Sequence, residues 1–125
     1  MSGTPEGLKG RRILVAEDDY HIADDLVAAL EVAGAEVVGP ASGVAEALAL
    51  ARSAAGLDGA VLDVNLRGEM IWPVVEALAS RGVPVVLATG YDAGMIPPAH
   101  GHLPRREKPV QARELLKMLA SRIGG

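Results

Sequence analysis

The alternation of short apolar runs with amphipathic stretches predicts an α/β fold, a doubly wound parallel sheet covered by helices on both faces. Three observations carry it. The runs Ile13–Ala16 and Gly59–Leu62 contain no polar side chain, as strands buried on both faces require. The stretches between runs repeat apolar residues at helical spacing. The residues that close the runs are acidic or hydroxylic, and parallel sheets open their ligand crevice at the carboxyl ends of the strands.

Taken in order, Ile13 to Ala16 reads as the first strand. Asp19 can cap a helix whose Ile22, Leu26, Val27, Leu30 and Ala33 recur at helical spacing until Gly34 stops it. Glu36 to Gly39 is extended. Ser42 offers the next N-cap, and Val44, Leu48 and Ala51 mark the buried stripe of a second helix ending before Gly56. The strand closed by Asp63 is followed by a loop through Gly68. A third helix then carries Ile71, Val74, Val75 and Leu78, with Pro73 in its first turn, and Gly82 ends it. Val83 to Ala88 is a strand. Between Asp92 and His102, Gly94, Pro97, Pro98 and Gly101 leave room for about one helical turn. A final helix places Leu115, Met118, Leu119 and Ile123 on one face.

A chain of 125 residues, half of them apolar, can bury a core without disulfides or a structural metal. It has no cysteine, which excludes thiol chemistry and fits a cytoplasmic location. A net charge of −4, from 12 basic and 16 acidic residues, argues against direct nucleic-acid binding. Arg105, Arg106 and Lys108 are a local cluster only. No apolar run approaches a membrane span, so no membrane insertion is expected. Residues 1–10, with Gly3, Gly7 and Gly10, are expected to be a flexible N-terminal tail, and residues 11–125 the domain.

Asp63 closes one apolar run, and Glu17 and Asp18 close another. Side by side in a parallel sheet, these strands bring three carboxylates to one end, where a cation must relieve their repulsion. A hard, oxygen-loving ion is expected, magnesium first. Two further strand ends supply Thr89 and Lys108. A hydroxyl and an ammonium beside a metal-bound carboxylate make a phosphoryl site. Taken alone, Glu17-Asp18-Asp19 reads as a solvated helix start, Thr89 as an N-cap and Lys108 as a surface lysine before a proline. Their joint placement decides the matter. His100-Gly101-His102 reads as a solvated loop rather than a metal pair, having no third ligand nearby in sequence. His21 reads as a surface helix position, and Tyr20 and Trp72 as partly buried or partner-facing aromatics.

Four segments together resemble the receiver domain of two-component response regulators: Ile13-Leu14-Val15-Ala16-Glu17-Asp18-Asp19, Leu62-Asp63-Val64-Asn65-Leu66-Arg67-Gly68, Ala88-Thr89-Gly90 and Lys108-Pro109. They stand in that family's order and spacing from about Arg11 to Ile123. More narrowly, Leu87-Ala88-Thr89-Gly90-Tyr91 resembles the alphaproteobacterial FAT GUY subgroup, with Leu87 at the signature's leading aromatic. The resemblance implies a flavodoxin-like, five-stranded sheet in the order 2-1-3-4-5. It implies Asp63 as phosphoacceptor, Glu17 and Asp18 as magnesium ligands together with Asp63, and Asn65 contributing its backbone carbonyl. Lys108 would neutralise a phosphoryl oxygen, Thr89 would hydrogen-bond another, and the Lys108–Pro109 peptide would be cis. The implied partners are a histidine kinase or histidine phosphotransfer protein as donor and a downstream protein target, with weak homodimerisation left open. The chain reads as a stand-alone receiver that assists its own phosphorylation and dephosphorylation and is otherwise no enzyme.

Two positions depart from the family pattern. Arg105 stands where many receivers carry an aromatic three residues before the lysine, so Tyr91 is the candidate to report the switch. Met95 to His102 is broken by prolines where a regular fourth helix is expected. An aspartyl-phosphate-forming phosphatase or phosphotransferase of haloacid dehalogenase type would want a second acid two residues after the nucleophile, where this chain has Asn65. A degenerate receiver acting only as a binding module would not need Glu17, Asp18, Asp63, Thr89 and Lys108 intact.

Overall fold

The computed structural model describes residues 7–90 and 96–123. Strands β1 (Arg12–Ala16), β2 (Glu36–Ala41), β3 (Leu57–Asp63), β6 (Val85–Thr89) and β7 (Arg105–Glu107) form one parallel sheet in the order β2-β1-β3-β6-β7. Counted among themselves these five run 2-1-3-4-5. Helices α1 (Tyr20–Val32) and α4 (Ala112–Ile123) cover one face, and α2 (Val44–Ser53) and α3 (Trp72–Ser80) the other. This is the flavodoxin-like strand order expected from the sequence.

Strict alternation along β1, β3 and β6 makes the two-sided core. Leu14, Ala16, Ala60, Leu62, Val85 and Leu87 point towards α2 and α3, while Ile13, Val15, Val61, Val86 and Ala88 point towards α1 and α4. Gly59 shows how closely α4 is seated on the sheet, since a Cβ there would lie 2.9 Å from Leu119 Cδ1 and 3.0 Å from Ile123 Cδ1.

Asp19 caps α1 as expected, accepting from the amides of His21 and Ile22. Several finer expectations change in which residues of each helix face the sheet. Ala23 and Ala47 are buried in α1 and α2, whereas Ile22, Val27 and Leu48 are only half-buried. In α4, Leu116 is buried beside Leu115 and Leu119, with Met118 and Ile123 half-buried. Ser42 is not the cap of α2. Gly43 takes that place, and Glu46 in the first turn reaches back to accept from the Ser42 amide at 3.2 Å.

Two connections also differ. The loop after Asp63 is a hairpin of β4 (Asn65–Leu66) and β5 (Glu69–Met70), joined by Arg67 and Gly68. Both turn residues have positive φ, 53° and 87°, which is the two-residue turn that matches strand twist. The expected tail over residues 1–10 is corrected at its inner end. Leu8 is fully buried with the α1 and α4 core, and the Gly10 amide donates to the Gly34 carbonyl. A single leucine can enter the core because Gly7 and Gly10, both at positive φ, bend the chain around it.

Candidate functional site

The three consecutive acids after β1 have three separate roles. Glu17 turns inward and is buried; its amide donates to the Ala41 carbonyl and its Oε2 accepts from the Asp19 amide at 3.1 Å. Asp18 faces the hairpin, where its Oδ2 accepts from the Arg67 amide at 2.9 Å. Asp19 is spent on the helix cap. Carboxylate oxygens of Glu17, Asp18 and Asp63 lie within 4.8 Å of one another.

Asp63 ends β3 beside Ala88 of β6 and is buried. Its Oδ1 accepts from the Asn65 amide at 3.2 Å and its Oδ2 from Lys108 Nζ at 2.7 Å. Lys108 Nζ also lies 3.0 Å from Glu17 Oε1, so one ammonium joins two carboxylates 91 and 45 residues away in sequence. Lys108 follows β7 directly; its amide donates to the Thr89 carbonyl, and the Lys108–Pro109 peptide is cis. Thr89, fully buried at the end of β6, turns its hydroxyl to the Arg106 carbonyl at 3.5 Å, a long and weak contact.

The structure thus brings Glu17, Asp18, Asp63 and Lys108 together, with Asn65 and Thr89 beside them. Tyr91 lies outside the described residues. Sequence reading missed the main chain of Arg67, which anchors Asp18. Gly68, whose side chain-free position suits positive φ, was the available signal for the turn that aims it. Arg105, in place of an aromatic, uses its guanidinium on the Gly101 carbonyl at 3.0 Å.

With one ammonium against three carboxylates, the cluster is short of positive charge. Burial, then the charge of Asp63, pushes Glu17 up from 4.5 to about 7. Burial works against the Lys108 ammonium, but its hydrogen bonds to Asp63 and Glu17 outweigh that and raise Lys108. Buried hard oxygens lacking positive charge fit a divalent cation such as magnesium.

A signed prediction follows for the metal-free protein. Between pH 4.5 and about 7 the native state keeps a proton on Glu17 that the unfolded chain has released, so stability falls as pH rises through that window. Thermal unfolding of the parent and of Glu17→Gln, each with chelator across the window, isolates this contribution. The parent is expected to lose stability relative to the variant as pH rises, and magnesium to restore most of it near pH 7, because metal binding needs the ionised carboxylate. A parent-to-variant difference that does not change with pH contradicts the assignment.

No protein-family model matches the chain, and no curated protein matches it. Solved structures do. The solution structure of SdrG from Sphingomonas melonis Fr1 is similar at 36% identity and a TM-score of 0.77, over 98% of both chains. The BeF3-activated conformation of SdrG, from Pseudomonas melonis Fr1, is 39% identical with a TM-score of 0.71, over 90% of this chain and 96% of that one. A CheY-like response regulator receiver domain protein from Methanospirillum hungatei JF-1 is 27% identical with a TM-score of 0.78, over 92% and 94% of the two chains.

Proposed function

This chain belongs to the receiver domains of two-component response regulators, and on that premise we propose that Asp63 accepts a phosphoryl group from a histidine kinase or histidine phosphotransfer protein in a phosphorelay. The observation that carries the proposal is the Lys108 ammonium bound to both Asp63 and Glu17, with Asp18 within 4.8 Å, at one end of the sheet. An Asp63 oxygen attacks phosphorus, the bond to the donor imidazole nitrogen breaks, and its electron pair stays on that nitrogen.

Each neighbour has a role in this reading. Lys108 already holds one Asp63 oxygen and neutralises charge arriving on the phosphoryl group. Thr89 gives up its weak bond to the Arg106 carbonyl and donates to a phosphoryl oxygen. Glu17, Asp18, Asp63 and the Asn65 backbone carbonyl are the residues that would hold magnesium. Bound there, magnesium supplies the positive charge that lets a carboxylate approach a phosphoryl donor. Because positioning and electrostatics supply most of the rate, no dedicated proton-transfer residue is needed, and the protein assists its own phosphorylation and dephosphorylation without being an enzyme for another substrate. Asn65 in place of a second acid disfavours the dehalogenase-type alternative, and the complete cluster disfavours a binding module without phosphorylation. We place the protein in the cytoplasm, acting on a downstream protein target; among the described residues no helix is long and apolar enough to cross a membrane. The FAT GUY signature at Leu87–Tyr91 supports assignment to that subgroup.

Incubation with a small acyl-phosphate donor is expected to add the mass of one phosphoryl group in the presence of magnesium and none after chelation. Peptide mapping should put it on Asp63. A gain that survives chelation, or one found on another residue, overturns the proposal.

A further inference from the structure

We propose that the stacked pair Trp72 and His100 is a latch that fastens the 3-10 turn Pro98–His100 to the start of α3, and that phosphorylation releases it. The inference rests on Asp63 as the phosphoacceptor.

The two rings stack with centroids 5.1 Å apart and planes 10° from parallel. His100 Nε2 also lies 3.7 Å from the Glu76 carboxylate, one helical turn beyond Trp72 on the same helix. The histidine side chain is only 13% exposed, so the solvated loop expected for His100-Gly101-His102 is corrected at His100. A histidine in a proline- and glycine-rich connection has become the anchor of that connection.

Both halves of the latch are tied to the acidic cluster. On one side, Trp72 follows Ile71, whose amide donates to the Val64 carbonyl next to Asp63, and the hairpin in between holds Asp18 through the Arg67 amide. On the other side, the turn runs into β7, where Arg105 holds the Gly101 carbonyl and Arg106 accepts the Thr89 hydroxyl. That last contact, at 3.5 Å, is the weakest link in the path. A charged phosphoryl oxygen competes for the Thr89 hydroxyl more strongly than a neutral carbonyl does. Once Thr89 turns inward, β7 is held to β6 by its main-chain ladder without the side-chain tie, free to shift with the turn, while α3 stays fixed by the hairpin. The two rings are then displaced relative to each other. A stacked aromatic pair favours its closed state by up to about tenfold, a bias that new charge-assisted hydrogen bonds can overcome. The latch thereby performs from Trp72 and His100 the coupling for which Arg105 has no ring.

Trp72 is the only tryptophan, so tryptophan-selective fluorescence reads the stack directly. The full chain with magnesium and beryllofluoride, its occupancy followed by fluorine NMR, is expected to show altered Trp72 emission and faster amide exchange over residues 98–103. His100→Ala should show both changes without the mimic, with exchange several-fold faster and up to about tenfold. His100→Phe, which can still stack, should keep the parent's slow exchange over this turn until the mimic is added. Bound beryllofluoride with unchanged emission and exchange overturns the latch alone, as does His100→Ala behaving like the parent or His100→Phe behaving like His100→Ala. Absence of a bound fluorine signal overturns the phosphoacceptor reading, and the latch with it.

Discussion

Asp63→Asn is expected to lose phosphoryl acceptance completely and, without added metal, to be more stable than the parent near pH 7. The loss is chemical, because a carboxamide oxygen does not form the acyl phosphate. The gain in stability is electrostatic. Asp63 is buried against Glu17, and its charge is the second cause, after burial, of the upward shift of Glu17 to about 7. Asparagine keeps an oxygen for Lys108 Nζ while leaving one ammonium against two carboxylates instead of three. Removing the Asp63 charge moves the Glu17 pKa back towards its ordinary value, an effect on the order of 1 kcal/mol and a few degrees in Tm for a domain of this size. Intact-mass measurement after treatment with an acyl-phosphate donor and thermal unfolding in chelator check the two halves separately. A persistent mass gain, or a variant less stable than the parent at neutral pH, would be the contrary result. A reacting group that stabilises its protein when removed is what a site arranged for chemistry at the expense of stability should show.

Gly39→Ala is expected to destabilise the fold by about 3–5 kcal/mol, much of the stability of a small domain. Gly39 has φ of 102°, where an L side chain is strained. A Cβ there would also lie 2.8 Å from both the Ala41 nitrogen and the Val15 oxygen. Both obstacles are main chain, in β2 and in its neighbour β1, and neither can swing aside as a flexible side chain would. The damage should extend to the site, because the Ala41 carbonyl accepts from the Glu17 amide and so helps aim the first acid of the cluster. Urea unfolding of parent and variant measures the effect, and a loss below about 1 kcal/mol would show that the β1–β2 register accommodates a side chain. Gly43, with nothing within 4 Å of a built Cβ, controls for steric clash, its Ala variant carrying only the cost of a poorer α2 cap, about 1 kcal/mol.

The candidate site was legible in the sequence to the extent that its residues close strands. Glu17, Asp18, Asp63 and Thr89 each follow or end an apolar run, so a parallel sheet gathers them at one end; Lys108 instead follows the charged, exposed strand Arg105–Glu107 and shows no such pattern. How they divide the work was not legible. Nothing in Glu17-Asp18-Asp19 says that the first turns inward to Lys108, the second outward to the Arg67 amide and the third back to cap its own helix.

Strand and helix order, the two-sided burial of the sheet and the identity of the acidic cluster were determined by the sequence alone, because period-2 and period-3.6 patterns and strand-end residues are local in the chain. Tertiary structure decided the rest. Ala23 and Ala47 take buried positions while Ile22 and Leu48 stay half-buried, because the rotation of each packed helix about its axis, not hydrophobicity, sets which side chain faces the sheet. Leu8 leaves the expected tail because the α1 and α4 core has a place for it. The upward shift of Glu17 and the stacking of His100 on Trp72 depend on partners up to 91 residues away in sequence. Electrostatic and packing energies are set by separation in space, and only the assembled sheet fixes those distances.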